Sequence, residues 1–264
     1  MSSQGSAAEA PVWVLGSLNL DVFRWEDGRS EVLLGGMALN AWRMLADLGR
    51  AARLVAAVGA DPDGRDLLSR MRRHGIDADH VHRVPGSPTG RAVYGVGAAG
   101  ATLLDLRLHD GLGAERLEPI RAGGGPLLVM GASLADVAAV ATARPLFWNP
   151  GQGILEQGQD AVPWPTADVL FVNRREQRTY LDRGGPRCPL TLVTHHGDGA
   201  ALLVAGEEVA YHRPEARHDG LDVGAGDAFA AAFTHAHLLG LSPAECLAFA
   251  GERTARFLRQ RVPR

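Results

Sequence analysis

The chain has 264 residues, of which 46% are hydrophobic and 22% are charged, and its formal net charge is −3. This near-neutral balance argues against nucleic acid as the main partner, and the lack of an 18-residue apolar run predicts no membrane span. Two cysteines, Cys188 and Cys246, are too few for a disulfide framework and favour a reducing, cytoplasmic location.

The first third of the chain predicts a tail followed by alternating strands and helices. Residues 1–10 are small and polar and are interpreted as a disordered tail, so the folded domain is expected to cover residues 11–264. Hydrophobic periodicity then predicts, in chain order, a strand at 12–16, a helix between Gly36 and Gly49, a strand at 53–58 and a helix at 64–74. This alternation is typical of a parallel sheet with helical crossovers.

Two segments break the alternation. Residues 22–34 surround a turn at Glu26-Asp27-Gly28, and residues 90–108 surround a turn at Ala99-Gly100. Both have the turn residues and the mixed apolar and polar flanks of antiparallel hairpins rather than of a βαβ unit. We predict that they form one small accessory sheet, a lid over a site.

The second half of the chain predicts further strands and two closing helices. The apolar runs indicate strands at 127–130, 146–148, 169–172 and 190–194, a hairpin of 200–204 with 208–212, and helices at 225–239 and 242–260. The expected fold class is therefore α/β, with a central, mainly parallel sheet.

The strongest candidate for chemistry is Gly224-Ala225-Gly226-Asp227, which opens a predicted helix. Small residues let a ligand approach the backbone, and the N–H groups of a first helical turn attract anions. An aspartate in that turn can take a proton from a hydroxyl aimed at the same anion, as phosphoryl transfer requires. The structural alternative is a glycine-rich turn with an aspartate at the positive end of the helix dipole.

Two further groups of polar residues follow predicted strands. Asn173 and Glu176 have the spacing of a helix capping box, and the same oxygens suit a hydrated Mg²⁺ ion on nucleotide phosphates. Near the start, Asn19 and Asp21 follow the first strand, and Gly35-Gly36 with Asn40 opens the first helix. This arrangement suits either a pocket for a polyhydroxyl ligand or an ordinary turn and helix start.

Taken in order, these segments resemble the ribokinase, or PfkB, family of sugar and nucleoside kinases, from about Val12 to Gln260. The matching segments are Gly16-Ser17-Leu18-Asn19-Leu20-Asp21, Gly35-Gly36 with Asn40, Val58-Gly59-Ala60-Asp61 with Gly64, Thr89-Gly90, Asn149-Pro150, Asn173 with Glu176, and Gly224-Ala225-Gly226-Asp227-Ala228-Phe229.

The resemblance implies a ribokinase-like three-layer α/β/α fold whose β lid forms a homodimer contact in many members. It implies that Asp227 deprotonates the acceptor and that Gly224, Ala225 and Gly226 form the anion hole. It further implies ATP and Mg²⁺ as cofactors. By the same resemblance, the acceptor would be held by Asn19, Asp21, Gly35, Gly36 and Asn40, Mg²⁺ would be organised by Asn173 and Glu176, and the nucleotide would be bordered by Thr194, His196 and Gly199.

The chain departs from the family pattern mainly on the nucleotide side. Leu221 and Asp222 replace a usual Asp-Thr pair, and His196 stands where the family has a glycine that leaves room for nucleotide. The segment 181–189 is short, as though a loop replaced a helix.

Three functions stay open on this sequence. The first is an ATP- and Mg²⁺-dependent kinase of a sugar or sugar-like alcohol. The second is a nucleoside kinase, with the base against Phe23, Trp25 or Tyr94. The third is a non-catalytic ligand-binding or regulatory protein, suggested by the changes at His196 and Leu221-Asp222.

Overall fold

The computed structural model describes residues 10–98, 100–156, 164–215 and 221–260. All but Ala10 of the predicted disordered tail, and Ala99 of the second predicted turn, lie outside these ranges. Within them, no helix combines the length and the apolar character that crossing a membrane requires. Cys188 and Cys246 are buried and do not form a disulfide, as the sequence predicts.

The described residues form two sheets. The strands are β1 (Val12–Gly16), β2 (Asn19–Trp25), β3 (Ser30–Gly35), β4 (Ala52–Gly59), β5 (Val81–Val84), β6 (Gly90–Gly97), β7 (Gly100–Arg107), β8 (Leu127–Met130), β9 (Leu146–Asn149), β10 (Val169–Asn173), β11 (Leu190–Thr194), β12 (Ala200–Val204) and β13 (Glu207–His212). The main sheet has the order β13-β12-β11-β10-β9-β8-β1-β4-β5. Its pairings are parallel except at the β11, β12 and β13 end, so the predicted α/β class is confirmed.

The small sheet joins the two predicted hairpins in the order β3-β2-β6-β7. Each hairpin is antiparallel, and β2 and β6 pair in parallel at the centre. The sheet begins at Asn19, three residues before the predicted segment, because Asn19 pairs with both Gly35 and Gly90. The candidate acceptor residues Asn19 and Asp21 therefore belong to the small sheet.

Helices cover both faces of the main sheet. They are α1 (Met37–Asp47), α2 (Pro62–Arg73), α3 (Glu118–Gly123), α4 (Leu134–Val140), α5 (Gly151–Glu156), α6 (Arg174–Asp182), α7 (Ala225–Leu238) and α8 (Pro243–Gln260). Alternate residues of β1 enter opposite cores, since side chains alternate along a strand: Val12 and Val14 pack with α1 and α7, whereas Trp13 and Leu15 pack with α4 and α5. The result is the predicted three-layer α/β/α arrangement.

The carboxyl ends of the parallel strands converge on one edge of the main sheet. There β1, β8, β9 and β10 are followed by Ser17, Gly131, Pro150 and Arg174. Ligands of open α/β sheets bind at this edge. The small sheet and the start of α7 lie at the same edge, because Asn19, Gly131 and Gly224 line one cavity there.

Candidate functional site

Asp227 lies at the centre of this edge, in the first turn of α7. Gly224 caps the helix with φ = 86°, a left-handed conformation that glycine adopts without a steric penalty. Asp227 is only 8% exposed, and its Oδ2 accepts a hydrogen bond of 2.9 Å from Asn40 Nδ2 of α1. Because α1 and α7 pack together, two residues far apart in sequence form one buried polar pair.

The inner cavity, of about 170 Å³, lies on one side of Asp227 and contains the candidate acceptor residues. Asn19 and Asp21 enter it from β2, Gly36 and Asn40 from the start of α1. Asn19 Oδ1 is buried and has no hydrogen-bond partner among the described residues, and it lies against Gly90, where a Cβ would be 2.2 Å from it. The cavity is bordered by Ser17, Asn19, Asp21, Gly36, Met37, Asn40, Tyr94, Leu103, Leu106, Leu108, Gly131, Pro150, Gly151, Gln152, Gly153, Ile154, Val223, Gly224 and Asp227.

Gly35 and Gly36 are required by close packing beneath this cavity. A Cβ at Gly35 would lie 1.8 Å from Asp21 Oδ2, so the carboxylate occupies the space that a side chain would fill. Gly36 has φ = 103°, and a Cβ there would lie 2.5 Å from the Ser17 carbonyl oxygen. Gly36 borders the cavity, whereas Gly35 supports Asp21 from behind.

The middle cavity, of about 330 Å³, lies on the other side of Asp227. It is bordered by Asn173, Glu176 and Thr194, together with Gly224 and Gly226. Asp227, Met37, Tyr94 and Gln152 border both cavities, which therefore meet at the carboxylate.

Asn173 and Glu176 form the predicted capping box at the start of α6. Asn173 Oδ1 accepts from Glu176 N at 2.9 Å, and Glu176 Oε2 accepts from Asn173 N at 2.8 Å. Burial raises the pKa of the Glu176 carboxyl, against the backbone hydrogen bonds from Asn173 and Gln152 that lower it. Since no group of three or more His, Cys, Asp or Glu gathers anywhere in the described residues, these oxygens suit a hydrated cation better than a dehydrated one.

The outer cavity, of about 690 Å³, continues from Thr194 at the end of β11. His196, one of the residues predicted to border the nucleotide, borders this cavity and is exposed. The sequence did not predict Arg174, His195 and Tyr211 there: His195 Nδ1 lies 3.3 Å from Arg174 Nη2 and 3.2 Å from Tyr211 Oη. Burial, followed by the Arg174 charge, lowers the pKa of His195. Arg213 borders the same cavity, together with the acidic residues Asp198 and Glu215.

Besides Gly35, two of the predicted site residues do not have the expected geometry. The Ala225 N–H donates to the Asp222 carbonyl oxygen at 2.9 Å, so Ala225 offers no free amide to an anion. Gly199 borders none of the three cavities. It has φ = 123°, and a Cβ there would lie 2.1 Å from the His212 carbonyl oxygen, so its role is to let β13 approach.

The three aromatic residues suggested as a wall for a base are also separated. Tyr94 borders the inner and middle cavities. Phe23 is buried behind it, with ring centroids 5.1 Å apart, and Trp25 lies at the far end of the small sheet beside Gly97. Only Tyr94 of the three can contact a ligand in the inner cavity.

Met37 and Gln152 border the site and were not predicted. Met37 lies between two glycines with positive φ: a Cβ at Gly131 would be 2.7 Å, and one at Gly151 2.8 Å, from Met37 Sδ. The position of Met37 directly after Gly35-Gly36 is the sequence signal that could have identified it. Gln152 follows Asn149-Pro150 closely, which is a weaker signal.

Comparison with known proteins gives one family. A model described as pfkB family carbohydrate kinase matches residues 12–106 and 134–261. A fructokinase from Salmonella typhimurium is 33% identical over 73 residues, which cover 28% of this chain and only 24% of that protein. An ATP-dependent ribose-1-phosphate kinase from Halopiger xanaduensis is 29% identical over 224 residues, 75% of this chain and 71% of that protein.

Solved structures share the fold over nearly the whole chain. Arabidopsis thaliana ribokinase complexed with ribose and ATP is 22% identical, with a TM-score of 0.68 over 95% of this chain and 93% of that one. Burkholderia thailandensis nucleoside kinase in complex with inosine is 20% identical, with a TM-score of 0.71 over 92% of this chain and 90% of that one. These likenesses establish the architecture.

Proposed function

This chain belongs to the pfkB family of carbohydrate kinases, and from that premise we propose that it transfers the γ-phosphoryl group of ATP to a hydroxyl of a sugar or sugar-like acceptor. The observation that carries the proposal is the position of Asp227. Asp227 is buried and held by Asn40, and it borders both the inner and the middle cavity. It therefore lies where an acceptor in the inner cavity would meet the γ-phosphoryl group of a nucleotide in the middle cavity.

Asp227 acts as the general base in this proposal. The acceptor lies in the inner cavity, where Asn19, Asp21 and Asn40 hold its other hydroxyls. As the acceptor oxygen forms its bond to the γ-phosphorus, its proton passes to the Asp227 carboxylate. The bond between the γ-phosphorus and the bridging oxygen breaks, and ADP leaves with that electron pair.

The first turn of α7 stabilises the charge that develops on the transferred group. The N–H groups of a first helical turn have no partner inside the helix, and the helix dipole adds to their attraction for an anion. Gly224 and Gly226 border the middle cavity, and neither places a side chain between the backbone and the phosphoryl group. Ala225 is not part of this anion hole, because Asp222 engages its N–H.

Asn173 and Glu176 fit a Mg²⁺ ion held through water, since both residues border the middle cavity and the capping box fixes their side chains. When bound, this ion would neutralise part of the charge on the nucleotide phosphates. The nucleotide itself would extend into the outer cavity, where Thr194, His196 and Arg174 are available to it.

The decisive test is acceptor-dependent release of ADP from ATP and Mg²⁺, measured across pentoses, hexoses, polyols and nucleosides. We expect Asp227→Asn to lower kcat by about 10² to 10⁴-fold while the thermal unfolding curve stays close to that of the parent. Full activity of this variant would remove Asp227 from the mechanism. No ADP release with any acceptor, together with no ATP binding, would favour the non-catalytic alternative.

A nucleoside kinase is the second candidate. Tyr94 offers one aromatic ring to the inner cavity, and Leu103, Leu106 and Ile154 give it an apolar side against which a base can pack. Turnover of nucleosides with no turnover of free sugars in the same panel would support this candidate over the first.

We also propose that the small sheet acts as a lid and pairs two copies of this chain as a homodimer. Leu103, Leu104 and Leu106 of the edge strand β7 are 46%, 61% and 37% exposed, and an exposed apolar edge strand tends to pair with another chain. Sedimentation equilibrium tests this, with Leu104→Arg as the variant expected to give a monomer.

A further inference from the structure

His196 has a backbone conformation that residues with a side chain rarely adopt. Its φ is 52°, in the left-handed region, where the Cβ of an L-residue crowds the backbone carbonyl that follows it. Among the described residues, only His196 and Ala205 combine a positive φ with a side chain, and the other positive-φ positions are glycines. A glycine at position 196 would adopt the same conformation without this cost.

The turn between β11 and β12 imposes this conformation. Residues 195–199 reverse the chain between two strands that pair in antiparallel fashion. The His195 N–H donates to the Gly199 carbonyl oxygen at 2.8 Å, which closes the turn around His196. The chain therefore holds a histidine where the turn itself favours glycine, and strained residues of this kind concentrate at ligand sites.

The position of His196 relates this strain to the donor. His196 is exposed and borders the outer cavity, and Thr194, two residues earlier, borders both the outer and the middle cavity. Two residues span at most about 7 Å, so His196 lies close to the junction of the two cavities. A donor whose γ-phosphoryl group lies beside Asp227 in the middle cavity would pass this junction with its phosphate chain, before its ribose and base.

We infer that the His196 imidazole donates a hydrogen bond to the phosphate chain of the donor, and that this contact accounts for a histidine at a position that favours glycine. The inference rests on the proposed function and adds a donor-binding side chain to it. The free protein carries the cost of the left-handed φ, whereas the bound donor gains the contact. His196 therefore exchanges stability of the fold for affinity.

The charges of the outer cavity make a single well-placed donor important. Arg174 and Arg213 border this cavity together with Asp198 and Glu215, so positive and negative side chains are mixed there. A phosphate in such surroundings depends on individual hydrogen-bond donors more than on the net charge of the cavity. Hydrogen bonds to an ionised oxygen are about twice as strong as those between neutral groups.

Three variants separate the strain from the contact. His196→Gly removes both the strain and the imidazole. His196→Ala removes the imidazole and keeps the strain, since an alanine already adopts this conformation at Ala205, where φ is 51°. Ala205→Gly is the matched control: it relieves the same strain in the turn between β12 and β13, and Ala205 borders none of the inner, middle and outer cavities.

The test measures the melting temperature of each variant and, by calorimetry, its affinity for ATP with Mg²⁺ and for adenosine. We expect His196→Gly to raise the melting temperature by about 2–4 °C and to weaken ATP binding by at least about tenfold. His196→Ala should weaken ATP binding equally without raising the melting temperature. Ala205→Gly should raise the melting temperature and leave the affinity for ATP within about twofold of the parent. Adenosine, which has no phosphates, should be bound equally by all four proteins.

Three results would overturn the inference and leave the proposed kinase intact. Unchanged ATP affinity in both His196 variants would show that the imidazole makes no contact with the donor. An equal loss of affinity for adenosine would place His196 against the ribose or the base. A lower melting temperature for His196→Gly would show that the histidine stabilises the turn. A parent protein that does not bind ATP would instead refute the proposed function, and the inference with it.

Discussion

Gly35→Ala tests the geometry of the inner cavity with a single methyl group. Gly35 ends β3 and pairs with Asn19, and the ideal Cβ position there lies 1.8 Å from Asp21 Oδ2 and 2.0 Å from Asp21 Cγ. Since ordinary contacts of a Cβ are 3.4 Å or longer, the Asp21 carboxylate must move by roughly 1.5 Å or the strands must separate.

The magnitude follows from the two consequences of that shift. Overpacking of this kind costs about 1–3 kcal/mol of folding free energy, which exceeds the roughly 0.5–1 kcal/mol that alanine regains over glycine in a strand. A misplacement of about 1 Å in a positioning residue can cost about 100-fold in rate. We therefore expect a melting temperature several degrees lower and kcat/KM for the acceptor reduced by about 100-fold.

The assay pairs this variant with a matched one in the same sheet. A Cβ at Gly95 of β6 would lie 3.1 Å from the Cδ1 of Leu104, the end of an exposed side chain, so Gly95→Ala should leave kcat/KM for the acceptor close to that of the parent. If the Asp21 contact causes the damage, Gly35→Ala should cost less stability when Asp21 is already alanine. An unchanged kcat/KM for the acceptor in Gly35→Ala, or an equal stability cost in both backgrounds, would refute the reasoning.

Three further predictions concern single interactions. The pKa of Glu176 is raised, so the stability that this carboxyl contributes is present at pH values below its ordinary pKa of 4.5 and is lost as the pH rises through the raised pKa. Between pH 4 and 7.5 the melting temperature should therefore decline more in the parent than in Glu176→Gln. Parallel curves for the two proteins would contradict this. Arg174→Ala should raise the KM for ATP by about tenfold and leave the acceptor KM unchanged, since Arg174 borders only the outer cavity; an equal rise in both would contradict the placement of the nucleotide. Thr89 is fully buried, and its hydroxyl accepts a hydrogen bond from Gly59 N and donates one to Asp61 Oδ1. Thr89→Val should therefore lower the free energy of unfolding, measured in urea, by about 1–3 kcal/mol. An unfolding midpoint equal to the parent's would show that these two hydrogen bonds contribute nothing to stability.

Much of the fold was predictable because it depends on local pattern. Helices α7 and α8 begin and end within about one residue of the predicted bounds, since hydrophobic periodicity and a glycine or proline mark their ends. Strand β5, with the sequence Val81-His82-Arg83-Val84, was missed because its alternation is short and polar, as suits an edge strand. The short helices α4 and α5 were missed for a similar reason: one or two turns hold too few residues to show a period.

The sequence by itself determined the capping box of Asn173 and Glu176 and the glycine cap before Asp227, since residues within four positions of each other meet whatever the rest of the chain does. Only the tertiary structure decided that Asn40 reaches Asp227 across 187 residues and that Met37 and Tyr94 border two cavities at once. It also decided that Arg174 and Arg213 border one cavity, because the distribution of charge around a site depends on strand order and helix packing. Both are set by long-range burial that no local pattern records.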